Sequence, residues 1–162
     1  MFAGSTRGLR TLALTLVTPF AIAANRVPSV RASIIQSRGT TADLTVLTVK
    51  LTPSGFTLGA YQGTFRFKSG ALTIVSASAP SGDGTRVVNP ADTAKGMVRF
   101  AGYTVDGFKS TVVLTMVVRS NQPMVTSNLT AALDVAADLN GVPVAKDQLF
   151  PARGFTTSTE GG

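Results

Sequence analysis

Gly59-Ala60-Tyr61-Gln62-Gly63-Thr64-Phe65-Arg66-Phe67-Lys68 is the stretch whose pattern decides the fold. Tyr61, Gly63, Phe65 and Phe67 share one parity, while Gln62, Thr64, Arg66 and Lys68 share the other. Successive side chains of a strand point to opposite faces, so this alternation predicts a strand with one side on a core and the other in water. The flanking sequence repeats the theme. Before it, residues 44–51 alternate Leu47, Val49 and Leu51 against Thr48 and Lys50, and Thr52-Pro53-Ser54-Gly55 breaks the run. After it, Ser69-Gly70 signals a turn, and residues 72–77 resume as a strand with Leu72 and Ile74 on one face and Val75 and Ala77 on the other.

A long loop is expected over residues 78–95, built of Gly, Pro, Ser, Asn and Asp around a short strand at 85–88; loops of this length are uncommon without a function of their own. Residues 97–103 form the next strand, residues 104–109 a turn containing Asp106-Gly107, and residues 112–118 an almost unbroken apolar run suited to a central strand covered on both faces. Residues 120–127 interrupt the pattern. In residues 129–139, Leu129, Ala131, Leu133 and Val135 alternate with polar or small neighbours, although Leu129, Leu133 and Ala136 also fit a helical spacing. Strand is the preferred reading, because every neighbouring segment is β and a sheet needs a last partner. Asn140-Gly141 then signals a hairpin turn into residues 142–144. Many short one-faced strands without a helical period make an all-β protein, and two antiparallel sheets closed face to face bury them most economically.

The chain has 162 residues, 44% of them hydrophobic, enough for one core. It contains no cysteine and no histidine, which excludes disulfides and thiolate metal sites and removes the commonest general base. A formal charge of +7, from 15 Lys and Arg against 8 Asp and Glu, raises the question of nucleic acid. The cations are scattered and carry no aromatic-plus-basic signature, so nucleic acid is not expected as a partner. Residues 1–23 read as a secretory signal: Arg7 and Arg10, an apolar stretch over residues 9–20, and Ala21-Ile22-Ala23 before the cleavage point. The stretch is too short for a membrane span and is interrupted by Thr15, Thr18 and Pro19. The expectation is a secreted or periplasmic protein with no stable membrane anchor after cleavage. Residues 24–41 are expected as a flexible leader, 42–150 as the β-sandwich domain and 151–162 as a loose tail.

The order of segments resembles the cohesin family. Residues 59–67 followed by Leu72-Thr73-Ile74-Val75-Ser76-Ala77 look like the second and third strands of cohesins. Gly96-Met97-Val98-Arg99-Phe100-Ala101-Gly102, residues 112–118 and Leu139-Asn140-Gly141-Val142-Pro143-Val144 look like the later strands and the closing hairpin, so that the resemblance covers residues 42–145. It implies a jelly-roll β-sandwich, of the kind shared by cohesins and a group of carbohydrate-binding modules, and a dockerin-like protein partner. Two departures concern recognition: Phe67-Lys68-Ser69-Gly70 stands where the family has a Tyr-Asp-Pro turn, and Ala60 and Gln62 stand where it often has Asn and Asp. The acidic residues Asp134 and Asp138, with Asn140-Gly141 after them, lack the one, three, five spacing of a calcium loop.

The candidate contact residues are Tyr61, Gln62, Thr64, Arg66, Arg99 and Tyr103. Tyr61 and Tyr103 offer an apolar face with a polar tip, for stacking on a sugar or anchoring a protein, although tyrosines on strands are also commonly half-buried. Gln62, Thr64, Arg66 and Arg99 would form a polar, basic surface on one sheet, a pattern that an ordinary solvated face also produces. The loop carboxylates Asp83, Asp92 and Asp106 are the one candidate for hydrolytic chemistry; nothing around them suggests tuned acidity. The sequence therefore points to a non-catalytic binding module without a cofactor. A protein partner is the first reading, and a polysaccharide, bound as by a carbohydrate-binding module, is the alternative.

Overall fold

The computed structural model describes residues 26–120, 124 and 128–158. The expected signal segment lies outside them, as do most of the linker before residue 128 and the end of the tail. The decisive stretch forms β3 (Leu58–Arg66), which is flanked by β6 (Met97–Tyr103) and β8 (Thr130–Asp138), both antiparallel to it. Two glycines make this centre possible. Gly63 stands opposite Phe100, and a Cβ there would lie 2.6 Å from the Phe100 ring and from the carbonyl oxygen of Ala132. Gly102 stands opposite Tyr61, whose ring would be 2.7 Å from a Cβ. Each ring thus lies across the glycine of the partner strand, close to the backbone, and both are buried.

The remaining strands are β1 (Ser29–Arg38), β2 (Leu44–Ser54), β4 (Leu72–Ser78), β5 (Thr85–Asn89), β7 (Val112–Ser120), β9 (Leu149–Phe150), β10 (Ala152–Arg153) and β11 (Thr156–Thr157). One sheet has the order β11-β1-β2-β7-β4, with β9 also on β1; the other has the order β10-β8-β3-β6-β5. The long pairings are antiparallel, and β9 and β11 run parallel to β1. The inner faces meet in one core that includes Ile34, Leu47, Val49, Leu51, Phe65, Phe100, Leu114 and Met116. Burying side chains of this size contributes about 1.5–3 kcal/mol each. This is the all-β, two-sheet architecture expected, and residues 130–138 are strand, not helix.

Four local expectations are corrected. Residues 29–38 are not a flexible leader: they form β1, paired along its whole length with β2, and bury Val30, Ala32 and Ile34. Arg31, Ser33 and Arg38 hide the apolar parity within a polar composition. The described part of the tail is not loose: β10 pairs with β8, β11 with β1, and Phe155 packs on the core. Thr52-Pro53-Ser54 does not end β2; the proline lies opposite Val30 and the turn follows at Gly55. In β4 a bulge at Val75 turns that side chain outward and returns Ala77 to the core side with Leu72 and Ile74. At Asn140-Gly141 the chain turns as expected, but only the single bridge Ala137–Pro143 follows.

Two substitutions check this architecture by urea denaturation. Ile34→Ala should destabilise by about 2–5 kcal/mol, as for a fully packed core position, where a leader residue would cost nothing. Gly63→Ala should destabilise by about 1–3 kcal/mol, because the backbone oxygen of Ala132 cannot yield to the added methyl as a flexible side chain would.

Candidate functional site

Cross-strand register places the candidate residues in rows on the outer face of the β10-β8-β3-β6-β5 sheet. Arg153, Thr130, Arg66 and Met97 form the first row, and Ala132, Thr64, Arg99 and Asn89 the second. Val135, Gln62, Ala101 and Val87 form the third, and Ala137, Ala60, Tyr103 and Thr85 the fourth. Asp134 is the extra residue of a bulge in β8, and the Thr64 hydroxyl donates to its Oδ2 at 3.4 Å. Small side chains floor the centre, so the face is nearly flat. A shallow depression of about 100 Å³ lies among Gln62, Val87, Asn89, Arg99 and Ala101.

The structure therefore brings Gln62, Arg66, Arg99 and Tyr103 together on one exposed face, with Tyr103 61% exposed. Tyr61 is not among them. It has the opposite parity, is 3% exposed and packs its ring 5.0 Å from Phe108 and 6.2 Å from Phe100. Its stacking role on a ligand is thereby corrected to a core role. Thr64 faces outward but is 7% exposed, sunk between Arg99 and Ala132 in its row.

The surface is apolar at one end. Val87, Tyr103, Val105, Val135, Leu139 and Val142 are all exposed, and among the large exposed hydrophobic side chains described, only Val27 and Val75 lie elsewhere. Two loops carry the last part of this patch. The segment after β6 is tied to β3 by the amide of Thr104 donating to the Gly59 carbonyl at 2.8 Å and that of Phe108 donating to the Leu58 carbonyl at 3.3 Å. The segment after β8 is held by Asp138, whose Oδ1 accepts the amides of Asn140 and Val142 at 2.8 and 2.9 Å. That is the work of Asp138 here: it holds the turn after β8.

Behind the apolar end sits a buried ion pair that the sequence pattern did not reveal. Arg86 of β5 points inward with its side chain 2% exposed and pairs with Asp83 at 2.5 Å. Its guanidinium also donates to the carbonyls of Val112 and Ser110, and it stacks over Phe108 at 4.6 Å from the ring centroid. The second Asp83 oxygen accepts the amides of Lys109 and Ser110 at 2.5 and 2.8 Å. These hydrogen bonds, Ser110 first, together with the adjacent guanidinium hold the Asp83 carboxyl below the usual range against a smaller opposing effect of burial. The long 78–95 loop is thus clamped to the segment entering β7. The only sequence signal for the clamp is an Arg at the inward parity of a strand, three residues after an Asp. Of the other loop carboxylates, Asp92 pairs with Lys95 and Arg99, at 3.1 and 3.5 Å, and Asp106 is exposed. The Tyr61 hydroxyl is buried near the same guanidinium, and burial pushes its pKa up to about 12 although Arg86 opposes the rise.

No protein-family model matches the chain, and no curated protein matches it. Solved structures do. The cohesin of a type I cohesin–dockerin complex from Clostridium thermocellum superposes with a TM-score of 0.54 at 11% identity, over 80% of this chain and 99% of that one. The sixth cohesin of scaffoldin B from Acetivibrio cellulolyticus, solved with a Cel5 dockerin, gives 0.53 at 16% identity, over 77% and 98%. A non-cellulosomal cohesin from the hyperthermophilic archaeon Archaeoglobus fulgidus gives 0.50 at 11%, over 80% and 93%. The chain has a cohesin-like fold. Among the described residues, no helix is long and apolar enough to cross a membrane.

The clamp and Tyr61 predict opposite pH effects. A carboxyl whose folded pKa is depressed stabilises the fold above its unfolded value, about 3.9, and that contribution disappears as pH falls through the folded value. Urea-unfolding free energies should therefore fall more steeply below about pH 4 in the wild type than in Asp83→Asn. A phenol whose folded pKa is raised stabilises the fold below its unfolded value, about 10, and loses that contribution as pH rises toward the folded one. Between pH 9 and 11.5 the wild type should lose stability that Tyr61→Phe keeps.

Proposed function

We propose that this domain is a non-catalytic protein-docking module acting outside the cytoplasm, and that it holds a dockerin-like partner on the outer face of the β10-β8-β3-β6-β5 sheet. The observation that carries this reading is the concentration of exposed apolar side chains on one sheet face and on the two loops at its end, with Arg66, Arg99 and Gln62 on the same face. Contiguous exposed apolar surface rimmed by polar groups marks interaction sites. The dockerin partners named for the similar cohesin structures from Clostridium thermocellum and Acetivibrio cellulolyticus support the class of partner. Anchors of the hot-spot type would be Tyr103 and Leu139, with Gln62, Arg66 and Arg99 in the polar rim.

A polysaccharide fits the same face less well. Sugar platforms are built from coplanar exposed rings, the chain has no tryptophan, and Tyr61 belongs to the core, so Tyr103 is the one ring in the four described rows. Isothermal titration of the purified protein with a panel of recombinant dockerins and with soluble polysaccharides tests the assignment. At least one dockerin should bind with saturation, and Tyr103→Asp and Leu139→Asp should each weaken it about 30-fold or more, the scale of a lost hot spot. Val75→Asp, on the other sheet, should leave binding unchanged. Saturable binding to a polysaccharide alone, or dockerin binding indifferent to the first two variants, would refute it.

A further inference from the structure

The outer face is not uniform along its strands, and this asymmetry bears on what can sit there. At the end formed by the first two rows, Arg66 and Arg153 flank Thr130, and Arg99 follows one row on. All three side chains belong to exposed residues, and among the described residues no carboxylate pairs with Arg66 or Arg153. Lys68 and Lys95 rim the same end, where the Ser69 hydroxyl donates to the Ala94 carbonyl at 2.8 Å. The acids nearby are Asp92, shared between Lys95 and Arg99, and Asp134, which shares a groove with Lys146 on the β8 flank. At the opposite end lie Tyr103, Val105, Leu139 and Val142, and the ionisable groups of their loops are Asp106 and Asp138. Lys109 lies beyond, on the segment turning away toward β7, with its backbone amide bound to Asp83.

Six residue steps separate Arg66 from Ala60, about 20 Å at the rise of a strand, and four separate Arg99 from Tyr103, about 13 Å. The Debye length at physiological salt is about 8 Å, so the field of the basic end does not extend over the apolar end. A partner meets two independent demands on one face. Resting on the docking reading above, we propose that the face accepts a protein surface that is acidic at one end and apolar at the other, and accepts it in a single orientation: carboxylates over Arg66, Arg99 and Arg153, apolar anchors over Tyr103, Leu139 and Val142. The reverse orientation would strand carboxylates on apolar surface beside Asp106 and leave the guanidinium groups against apolar side chains, a mismatch that discriminates strongly at interfaces.

The test uses the full-length protein as bait for a displayed library of random 16-residue segments, followed by synthesis of the enriched segments. Enriched segments should carry Asp and Glu in one half and aromatic or aliphatic residues in the other. Arg66→Glu combined with Arg99→Glu should weaken them about tenfold or more at low salt and abolish their salt dependence, whereas Tyr103→Ala should weaken them with the salt dependence intact. A spin label on the acidic half should broaden the amide signals of residues 64–66 and 97–99, and one on the apolar half those of residues 103–105 and 139–142. Enriched segments that bind this face but are neutral or basic, or whose labels broaden both ends equally, overturn the inference and leave the docking face standing. Segments that all bind elsewhere overturn the docking face itself. Failure of every dockerin in the panel, with these segments oriented as described, removes the dockerin assignment and keeps the oriented surface. Competition by single-stranded oligonucleotide at the basic end, without need of Tyr103, would assign that end to nucleic acid and also overturn the inference.

Discussion

Two rings laid across two glycines hold the centre of this molecule. Phe100 covers Gly63 and Tyr61 covers Gly102, on facing positions of β3 and β6, so that large aromatic bulk lies close to the backbone of its own sheet. Because side chains alternate, fixing these four inward positions fixes every outward one on the same strands. Gln62, Thr64, Arg66, Arg99, Ala101 and Tyr103 are presented together for this reason. A slip of one residue in either strand would send the rings to water and the arginines into the core. The register of the core and the composition of the outer face are a single constraint seen from two sides.

The clamp of Arg86 and Asp83 acts on the same surface from behind. A buried guanidinium is tolerated only where its charge is matched and most of its hydrogens are accepted. Here Asp83 and two carbonyls take hydrogens of the two terminal nitrogens and the face of Phe108 covers the group, while Nε is buried without a hydrogen-bond partner. Phe108 in turn touches Tyr61 and belongs to the loop that carries Val105. The position of the apolar end of the face is thus set by a polar network lying beneath it, which ties the long loop, β5 and the start of β7 into one body. A loop of that length without such a tie would leave Val87, on the edge strand β5, on a mobile margin.

How much of this was legible in the residues depended on how cleanly each parity was written. From Tyr61 to Lys68 the inward Tyr61, Gly63, Phe65 and Phe67 alternate with polar residues, and the strand, its buried face and its exposed face all follow there; the buried Leu58 falls out of step, across the register shift before Ala60. In β1 the inward positions Val30, Ala32 and Ile34 are interleaved with Arg31, Ser33 and the arginine-rich flanks, so composition masked a fully paired strand. The bulge at Val75 adds a residue on one side only, and a strict two-residue period cannot register that. Tyr61 shows the limit for the contact surface. Its parity with Phe65 already placed it inward, whereas its chemistry invited a role outside, and packing against Phe100 and Phe108 decided between them. The clamp was least visible, because Asp83 and Arg86 find their partners in a second segment, residues 108–112, and only an inward Arg three residues after an Asp hints at it.

Among the described residues β4 ends one sheet and β5 the other, and an edge strand is a template on which a second chain can grow. β5 is only five residues long and is followed at once by Pro90, which has no amide to offer a new strand. On β4, which carries no charge at all, the extra residue at Val75 throws the backbone donors and acceptors out of step with a straight newcomer. The molecule can therefore expose a broad greasy surface for association across its face while refusing fibril-like growth along its rim.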